Sequence, residues 1–333
     1  MAEYIITLDA GTTNTRAVLW DAKAQIAARA DATVGVRDTA VDGTNRRLRG
    51  TVKRCLERVL SSAGAGYGQV KAVVASGMIT SNVGLVEIPH QAAPLGLAEL
   101  AAAMRSVELP DVCPLPILFI PGVKNSAAAV SYDNFEAMDM MRGEETEAFA
   151  LLEQYPAGRP YLLVLPGSHM KFVAVDAAGR ITGCLTSISG ELLSAITNGT
   201  IIADAVGRSF VRPDAYDREM VLLGYDTAKT CGVGRACFAA RILNQFGEKD
   251  TQKLANYILG AALQSDVTGI KNSAALRVDG GAAVIVAGKD PLRQAIADIL
   301  RHEGFGGLDV AGQGDCPLAA RGAYLLARAR GLA

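Results

Sequence analysis

The sequence lacks the residue patterns of a disulfide-rich or zinc-binding protein. It has no Cys-x-x-Cys pair, and its six cysteines are scattered at Cys55, Cys113, Cys184, Cys231, Cys237 and Cys316. Its three histidines, His90, His169 and His302, also lie far apart. Scattered thiols are typical of reduced cysteines in a cytoplasm, and zinc sites use closely spaced ligands. The pattern argues against a disulfide scaffold and against a histidine-rich metal site.

A basic block and a long apolar run are also missing. The formal net charge is -1, so electrostatics give no case for nucleic acid or an anionic membrane as a partner. No apolar run approaches the roughly 20 residues that a membrane helix needs. The chain enters a strand without the basic and apolar segments of a signal peptide. We therefore expect a cytoplasmic protein that binds neither nucleic acid nor a membrane.

The composition that remains is that of an ordinary globular protein. Half of the residues are hydrophobic and a fifth are charged, which is typical of folded soluble chains. A length of 333 residues is enough for two domains with a sizeable core each.

The stretch from Tyr4 to Trp20 organises the chain. Two short apolar runs, residues 4–8 and 17–20, flank a polar turn that contains glycine, a pattern that predicts a β-hairpin. Asp9 follows the first run, where a carboxylate can hold a hydrated Mg²⁺. Gly11 lets the backbone approach a ligand closely. The remaining turn residues offer hydroxyl, amide, backbone and guanidinium donors to a phosphate, namely Thr12, Thr13, Asn14 and Arg16. The alternative is a plain turn, because Asp, Gly and Thr are common turn residues.

A related stretch begins at Tyr161. Residues 161–165 match residues 4–8, and Asp176 to Ile181 matches Asp21 to Ile26, with the first turn two residues longer. An internal repeat of about half the chain predicts two similar domains. A connector at Pro156 to Pro160 separates them, so we expect domains at 1–156 and 157–333. Two facing hairpins of Gly, Ser and Thr suit a cleft that grips a polyphosphate from both sides.

Between and after the hairpins, apolar spacing predicts further elements. We expect a third strand over 25–34, a polar loop over 35–40, and strands over 70–75, 116–120 and 282–287. The small and polar loop 76–84 follows one of these strands, in a place where α/β proteins often bind ligands. Helices are predicted over 45–60, 95–107, 191–198, 217–230, 235–246, 251–270 and 291–302, with a last helix through Tyr324. The strand that ends at Gly288 could border a nucleotide, or could be an ordinary strand-to-helix turn.

Two acids, Glu144 and Glu145, open another predicted helix. Acids in a first turn favour the helix dipole, which would account for both residues without a catalytic role. The alternative is a general base close to a substrate hydroxyl.

Several of these segments resemble 2-dehydro-3-deoxygalactonokinases, a family of the sugar kinase, hexokinase and actin superfamily. The resemblance rests on segments 9–20, 77–84, 120–122, 141–146, 165–171 and 189–192, which spread over nearly the whole chain. Ser168 stands where the family form has threonine, which keeps the hydroxyl. The resemblance implies an α/β protein of two ribonuclease-H-like domains, each with a mixed sheet, and an ATP cleft between them. This is the actin-like ATPase fold.

The resemblance also implies ATP and Mg²⁺ as cofactors and a role for each site residue. Asp9 would bind the metal. The phosphates would be held by Gly11, Thr12, Thr13, Asn14 and Arg16 on one side and by Gly167, Ser168, His169 and Lys171 on the other. Gly288 would border the adenosine. Glu144 is the expected general base, because related sugar kinases carry a Gly-Asp-Gln step where Gly143-Glu144-Glu145 stands here. The expected sugar-acid contacts are Arg37, Asp38, Met78, Ser81, Asn82, Arg142 and Glu145.

The implied reaction is ATP-dependent phosphorylation of the terminal hydroxyl of a 2-keto-3-deoxy sugar acid. Two rivals remain open. One is a kinase of the same superfamily for another sugar or sugar acid, and the other is an ATP-hydrolysing switch protein without kinase activity. A homodimer is one expected assembly.

Overall fold

Two β-sheets, one from each half of the sequence, form the framework of the chain. The computed structural model describes residues 3–312 and 314–333. The strands of the first half are β1 (Tyr4–Ala10), β2 (Thr15–Trp20), β3 (Ile26–Ala32), β4 (Val70–Gly77), β5 (Gln91–Ala92), β6 (Arg105–Val107), β7 (Ile117–Phe119), β8 (Val123–Lys124) and β9 (Met140–Met141). Those of the second half are β10 (Tyr161–Leu165), β11 (Met170–Val175), β12 (Ile181–Ser187), β13 (Ala283–Val286) and β14 (Asp309–Val310).

The two large sheets repeat one topology, so the predicted duplication is confirmed. The first sheet has the order β3-β2-β1-β4-β7-β6, and the second has the order β12-β11-β10-β13-β14. In each, an antiparallel meander of three strands is followed by a strand parallel to the first one. The repeat extends to side chains in the second turn of each meander. Oδ1 of Asp21 accepts hydrogen bonds from the amides of Lys23 and Gln25, and Oδ1 of Asp176 accepts the equivalent pair from Ala178 and Arg180.

Helices cover both sheets and fill the space between them. They are α1 (Val36–Asp42), α2 (Arg46–Ser62), α3 (Leu97–Ala103), α4 (Glu144–Leu152), α5 (Ser189–Gly199), α6 (Arg218–Cys231), α7 (Val233–Phe246), α8 (Thr251–Asn272), α9 (Leu292–His302) and α10 (Leu318–Ala329). One core lies between α2 and the outer face of the first sheet, and a second joins the outer face of the second sheet to α5–α9. The third core lies between the sheets and includes α3, α4 and α10. No helix of the described residues is both long and apolar enough to cross a membrane.

Some predicted elements were wrong. Residues 35–40, expected as a polar loop, begin helix α1, because the Asp38 carboxylate accepts a hydrogen bond from the Gly35 amide (2.9 Å) and so caps the first turn. The helix expected over 95–107 is limited to α3. Residues 105–107 instead pair with β7 as an edge strand of the first sheet. Apolar spacing alone does not reveal such edge pairing.

The last helix, α10, packs against the first half of the chain. It contacts α3, α4, β1 and β4, although it follows the second sheet in sequence. The predicted connector at 156–160 lies between α4 and β10, so each large sheet is built from one side of it. The division at 156/157 therefore separates the two sheets, while α10 returns across it.

A segment of the first half is bound to the second sheet by side-chain hydrogen bonds. Nδ2 of Asn125 donates to the carbonyl oxygens of Cys184 (2.9 Å) and Ala275 (2.8 Å), and Oδ1 of Asn125 accepts from the Cys184 amide (2.7 Å). Asp139 accepts from the amide (2.6 Å) and the hydroxyl (2.7 Å) of Thr186 in β12. We call residues 125–139, which lie between β8 and β9, the tether.

Close packing of α10 on α4 predicts a large effect for one methyl group. A Cβ added at Gly322 would lie 1.8 Å from the carbonyl oxygen of Thr146. We expect Gly322→Ala to lower the free energy of unfolding by about 2 kcal/mol, because a backbone cannot yield as a side chain does. Gly234→Ala in α7 is the matched control, since no atom lies within 4 Å of the added Cβ. It should stabilise by up to about 1 kcal/mol. Urea titration of both variants checks this, and equal stabilities would contradict the packing.

Candidate active site

A cavity of about 640 Å³ lies between the two repeats. The first hairpin contributes Asp9 and Arg16, and α4 contributes Glu147. The second hairpin and the segment after β13 line the opposite side with Leu165, Pro166, Gly167, Ser168, Ala287, Gly288, Lys289 and Asp290. The cavity therefore brings Asp9 and Arg16 together with Gly167, Ser168 and Gly288. The other predicted phosphate residues of the two turns (Gly11, Thr12, Thr13, Asn14 and His169) and the predicted base Glu144 are not among the described residues that line it.

Asp9 occupies a largely buried position beside Arg16. The two residues are cross-strand neighbours in β1 and β2, and Nη1 of Arg16 lies 3.5 Å from Oδ2 of Asp9. Burial raises the pKa of Asp9 to about 6, an effect that Arg16 opposes and the nearby Glu144 charge reinforces. A Cβ at Gly77 would lie 2.6 Å from Oδ1 of Asp9, and Gly77 has φ +82°. Glycine at this position therefore leaves room for the carboxylate.

The turn of the first hairpin is supported by the start of α1. The carbonyl oxygen of Gly11 accepts from the Val36 amide (3.1 Å), and that of Thr12 accepts from the Arg37 amide (3.0 Å). Thr13 and Asn14 are joined by a side-chain hydrogen bond at the turn (2.9 Å). A Cβ at Gly35 would lie 2.5 Å from Gly11 and Thr12 backbone atoms. This close approach was not predicted from the sequence.

The second turn is supported in the same way by the start of α5. The Glu191 amide donates to the carbonyl oxygen of Ser168 (3.0 Å). A Cβ at Gly190 would lie 2.2 Å from the carbonyl oxygen of Gly167. Nε2 of His169 lies 3.0 Å from Oε1 of Glu191, and both side chains are well exposed. The repeat thus includes a glycine against each turn as well as the turns themselves.

The acids at the start of α4 occupy different environments. Glu145 is fully buried, and both of its carboxylate oxygens accept from the Gly143 amide (2.9 and 2.8 Å). Burial raises the pKa of Glu145 to about 8. Glu144 is partly exposed, and its Oε2 accepts from the Arg142 amide (3.0 Å). Of the two acids, Glu144 is therefore the one that a substrate can reach.

Several expected substrate residues support their own loops. Arg142 donates to the carbonyl oxygens of Thr80 (2.7 Å) and Ile88 (3.0 Å). Asp38 caps α1 and pairs with Arg47 (2.8 Å). Similar contacts hold the loop after β4, where the Ser81 hydroxyl donates to the Met78 carbonyl oxygen (2.7 Å), while the Asn82 side chain is exposed. The Arg37 side chain is exposed and makes no ion pair within the described residues. Of the two expected arginines, Arg37 is accordingly the one whose guanidinium makes no hydrogen bond or ion pair within the described residues.

Lys171 does not line the cavity. The residue is 5% exposed, and its ammonium group donates to the Met140 carbonyl oxygen (2.9 Å) and to the Thr186 hydroxyl. The expected phosphate contact from Lys171 is thus replaced in this structure by hydrogen bonds to β9 and β12.

An apolar pocket of about 320 Å³ adjoins the second turn. Gly167, Ser168 and Gly190 form its edge, and its walls are formed mainly by Leu193, Phe210, Val211, Leu259, Pro291 and Leu292. Sequence reasoning identified only the Gly288 junction nearby. The pocket walls come from α5, α8, α9 and the 209–211 segment, and no local pattern connects them.

The twin sheets and the cavity between them are those of the actin-like ATPase fold. The model of the 2-keto-3-deoxy-galactonokinase family matches residues 9–317. The chain therefore belongs to that family, and it is a phosphotransferase with an alcohol acceptor.

Solved structures agree on the fold. A provisionally named 2-dehydro-3-deoxygalactonokinase from Sinorhizobium meliloti is 23% identical, with 98% of this chain and 96% of that chain covered and a TM-score of 0.73. Component A of the (R)-2-hydroxyglutaryl-CoA dehydratase of Acidaminococcus fermentans is 14% identical, with 98% and 99% covered and a TM-score of 0.50. No curated protein matches the sequence.

Proposed function

We propose that this kinase transfers the γ-phosphoryl group of ATP to the C6 hydroxyl of 2-dehydro-3-deoxy-D-galactonate, as a cytoplasmic step of galactonate catabolism. The supporting observation is the cavity that the second hairpin turn shares with Asp9 and Arg16 of the first hairpin and with Glu147 of α4, in a chain of the 2-keto-3-deoxy-galactonokinase family. Phosphoryl transfer depends on positioning and charge neutralisation, and a cleft lined from both sides supplies both. The homodimer stays a prediction, which sedimentation of the purified protein checks.

The residues at the cavity fit a magnesium ion. Oxygen ligands from one or two carboxylates are what Mg²⁺ takes in nucleotide sites, and Asp9 presents such a carboxylate. Burial raises the pKa of Asp9 to about 6, so a cation beside this carboxylate would favour its charged form. When bound with ATP, the ion neutralises phosphate charge. Asp9 would hold it at the end of the first hairpin.

The two turns and the apolar pocket would divide the nucleotide between them. Backbone and hydroxyl donors of Thr12, Thr13 and Asn14 would hold the phosphates from one side, and those of Gly167 and Ser168 from the other. The apolar pocket beside Ser168 suits the adenine ring, because apolar side chains bury a base with little desolvation of polar groups. Gly288, which lines the cavity near Pro166, would border the ribose.

Glu144 would accept the proton of the attacking hydroxyl. It is the partly exposed acid of the pair, and it opens α4, the helix whose Glu147 lines the cavity. Arg37 would bind the substrate carboxylate, since paired N–H donors suit that group. It extends from α1, whose first amides hold the first turn.

A substrate panel tests the proposal. ADP release should be fastest with 2-dehydro-3-deoxy-D-galactonate, and kcat/KM should fall at least tenfold for the gluconate epimer, since a site built to bond one hydroxyl rejects its misplaced form. Equal rates across the epimers would overturn the substrate assignment. ATP hydrolysis that no sugar acid accelerates would favour the switch protein instead.

A further inference from the structure

Asp266 is a buried acid of α8 that the proposed reaction does not use. The residue is 1% exposed, and its Oδ1 accepts hydrogen bonds from the hydroxyls of Ser189 (2.7 Å) and Ser187. Its Oδ2 has no hydrogen-bond partner within the part of the chain that the structure describes. A buried acceptor without a bond lowers stability, so stability alone gives no reason for an acid at this position.

The two serines flank the start of α5. Ser187 ends β12, Ser189 is the first residue of α5, and their hydroxyl oxygens lie 3.0 Å apart. Ile188 between them occupies the N-cap, where no side-chain hydrogen bond caps the helix. Many helices begin at a polar residue whose own side chain fixes the first turn. The start of α5 is fixed instead through Ser189 by an acid of another helix.

The residues that follow Ser189 contact the second hairpin turn. A Cβ at Gly190 would lie 2.2 Å from the carbonyl oxygen of Gly167, and the Glu191 amide donates to the carbonyl oxygen of Ser168 (3.0 Å). The same turn and Gly190 form the edge of the apolar pocket. A displacement of the start of α5 must therefore move this turn or open a gap beside it.

We propose that Asp266 is a positioning residue for nucleotide binding, which holds the second turn in place through Ser187, Ser189 and the start of α5. This inference rests on the proposed function, in which Gly167 and Ser168 bind phosphate. The bonds of Asp266 are to neutral hydroxyls, so an acceptor oxygen in the same place can replace the carboxylate. Asparagine supplies such an oxygen, whereas alanine does not.

The test is the affinity for ADP, measured by calorimetry, with a melting curve for each variant. Asp266→Ala should weaken ADP binding about tenfold or more, because the turn is no longer held in position. Its KM for the sugar acid should stay within twofold of wild type. Asp266→Asn should bind ADP within about threefold of wild type, because the acceptor is kept.

The matched control is Asp298→Ala. Asp298 is a buried acid of α9 in the same half of the chain, and it accepts from the Tyr216 hydroxyl (2.9 Å). Its removal should lower the melting temperature and leave the affinity for ADP within twofold of wild type. This control separates general destabilisation from loss of the position of the second turn.

Ser189→Ala tests the path from Asp266 to the turn. It should weaken ADP binding about threefold or more, since it removes one of the two serine bonds. In the double variant with Asp266→Ala, the loss should be no larger than in Asp266→Ala alone, because residues that share one bond are not additive.

Each other result has a defined meaning. An affinity for ADP in Asp266→Ala within twofold of wild type overturns the inference and leaves the kinase assignment standing. Equal losses in Asp266→Ala and Asp298→Ala also overturn it, and so do equal losses in the alanine and asparagine variants of Asp266. If Asp266→Ala does not fold, Ser189→Ala decides, and wild-type affinity in that variant overturns the inference. Wild type that binds no ADP overturns the proposed function itself, which the substrate panel tests separately.

Discussion

Replacement of Glu144 by glutamine is expected to lower kcat by at least two orders of magnitude with little change in the KM for ATP. A positioned general base contributes about 10² to 10⁴ in rate, and glutamine keeps the shape of the side chain but accepts no proton. The Glu144 carboxylate is partly exposed, and within the described residues it is bonded only to the Arg142 amide, so the fold should be retained. Steady-state kinetics with ATP and the sugar acid, together with a melting curve, measures both effects.

Glu145→Gln is the matched comparison. Glu145 is buried and bonded to Gly143, so this change should alter stability more than it alters turnover, with kcat within about tenfold of wild type. If Glu144→Gln turns over near the wild-type rate in a folded protein, the base is a different residue. If Glu145→Gln shows the larger loss of kcat at unchanged stability, the roles of the two acids are reversed.

Gly190→Ala is expected to raise the KM for ATP tenfold or more. The added Cβ would lie 2.2 Å from the Gly167 carbonyl oxygen and 2.7 Å from that of Ser168. These contacts are with backbone, so the second turn must shift, and a shift of about 1 Å in a positioning element can cost about 10² in rate. Initial rates at varied ATP, and the affinity for ADP, measure the effect on nucleotide binding directly.

Gly199→Ala provides the control on the same helix. Gly199 is the last residue of α5, and no atom lies within 4 Å of the added Cβ. Its kinetics should equal those of wild type. Normal ATP affinity in Gly190→Ala would show that the second turn does not hold phosphate. The equivalent change in the first repeat, Gly35→Ala, should act on ATP in the same direction, because its Cβ would lie 2.5 Å from the Gly11 carbonyl oxygen.

The sequence predicts well what is encoded locally. The two hairpins, the parallel strands that follow them and most of the long helices were predicted, because alternating or helical apolar spacing and glycine-containing turns are local signals. The duplication was visible because residues 4–8 and 161–165 keep the same apolar pattern. These features were sufficient to predict that Asp9 and the second turn lie at one cavity.

What the sequence did not predict depends on contacts between distant segments. Helix α10 returns to the first sheet because its apolar face fits between the sheets. No local sequence pattern identifies the sheet against which this helix packs. In the sequence, Arg142 looks like a ligand-binding residue. In the structure its guanidinium donates hydrogen bonds to the carbonyl oxygens of Thr80 and Ile88. In the sequence, Glu147 looks like an ordinary acidic residue of a helix. It becomes part of the site because α4 packs beside Asp9.

The tether has a mechanical consequence for catalysis. Asn125 and Asp139 bind it to β12, while its far end continues through β9 to Gly143 (φ +117°) and then directly to Glu144. If the two repeats close around ATP, that closure would displace the residues that immediately precede Glu144, the proposed general base. Glu144 would then be fully aligned only in the closed state. The open enzyme would therefore hydrolyse little ATP without a sugar acid.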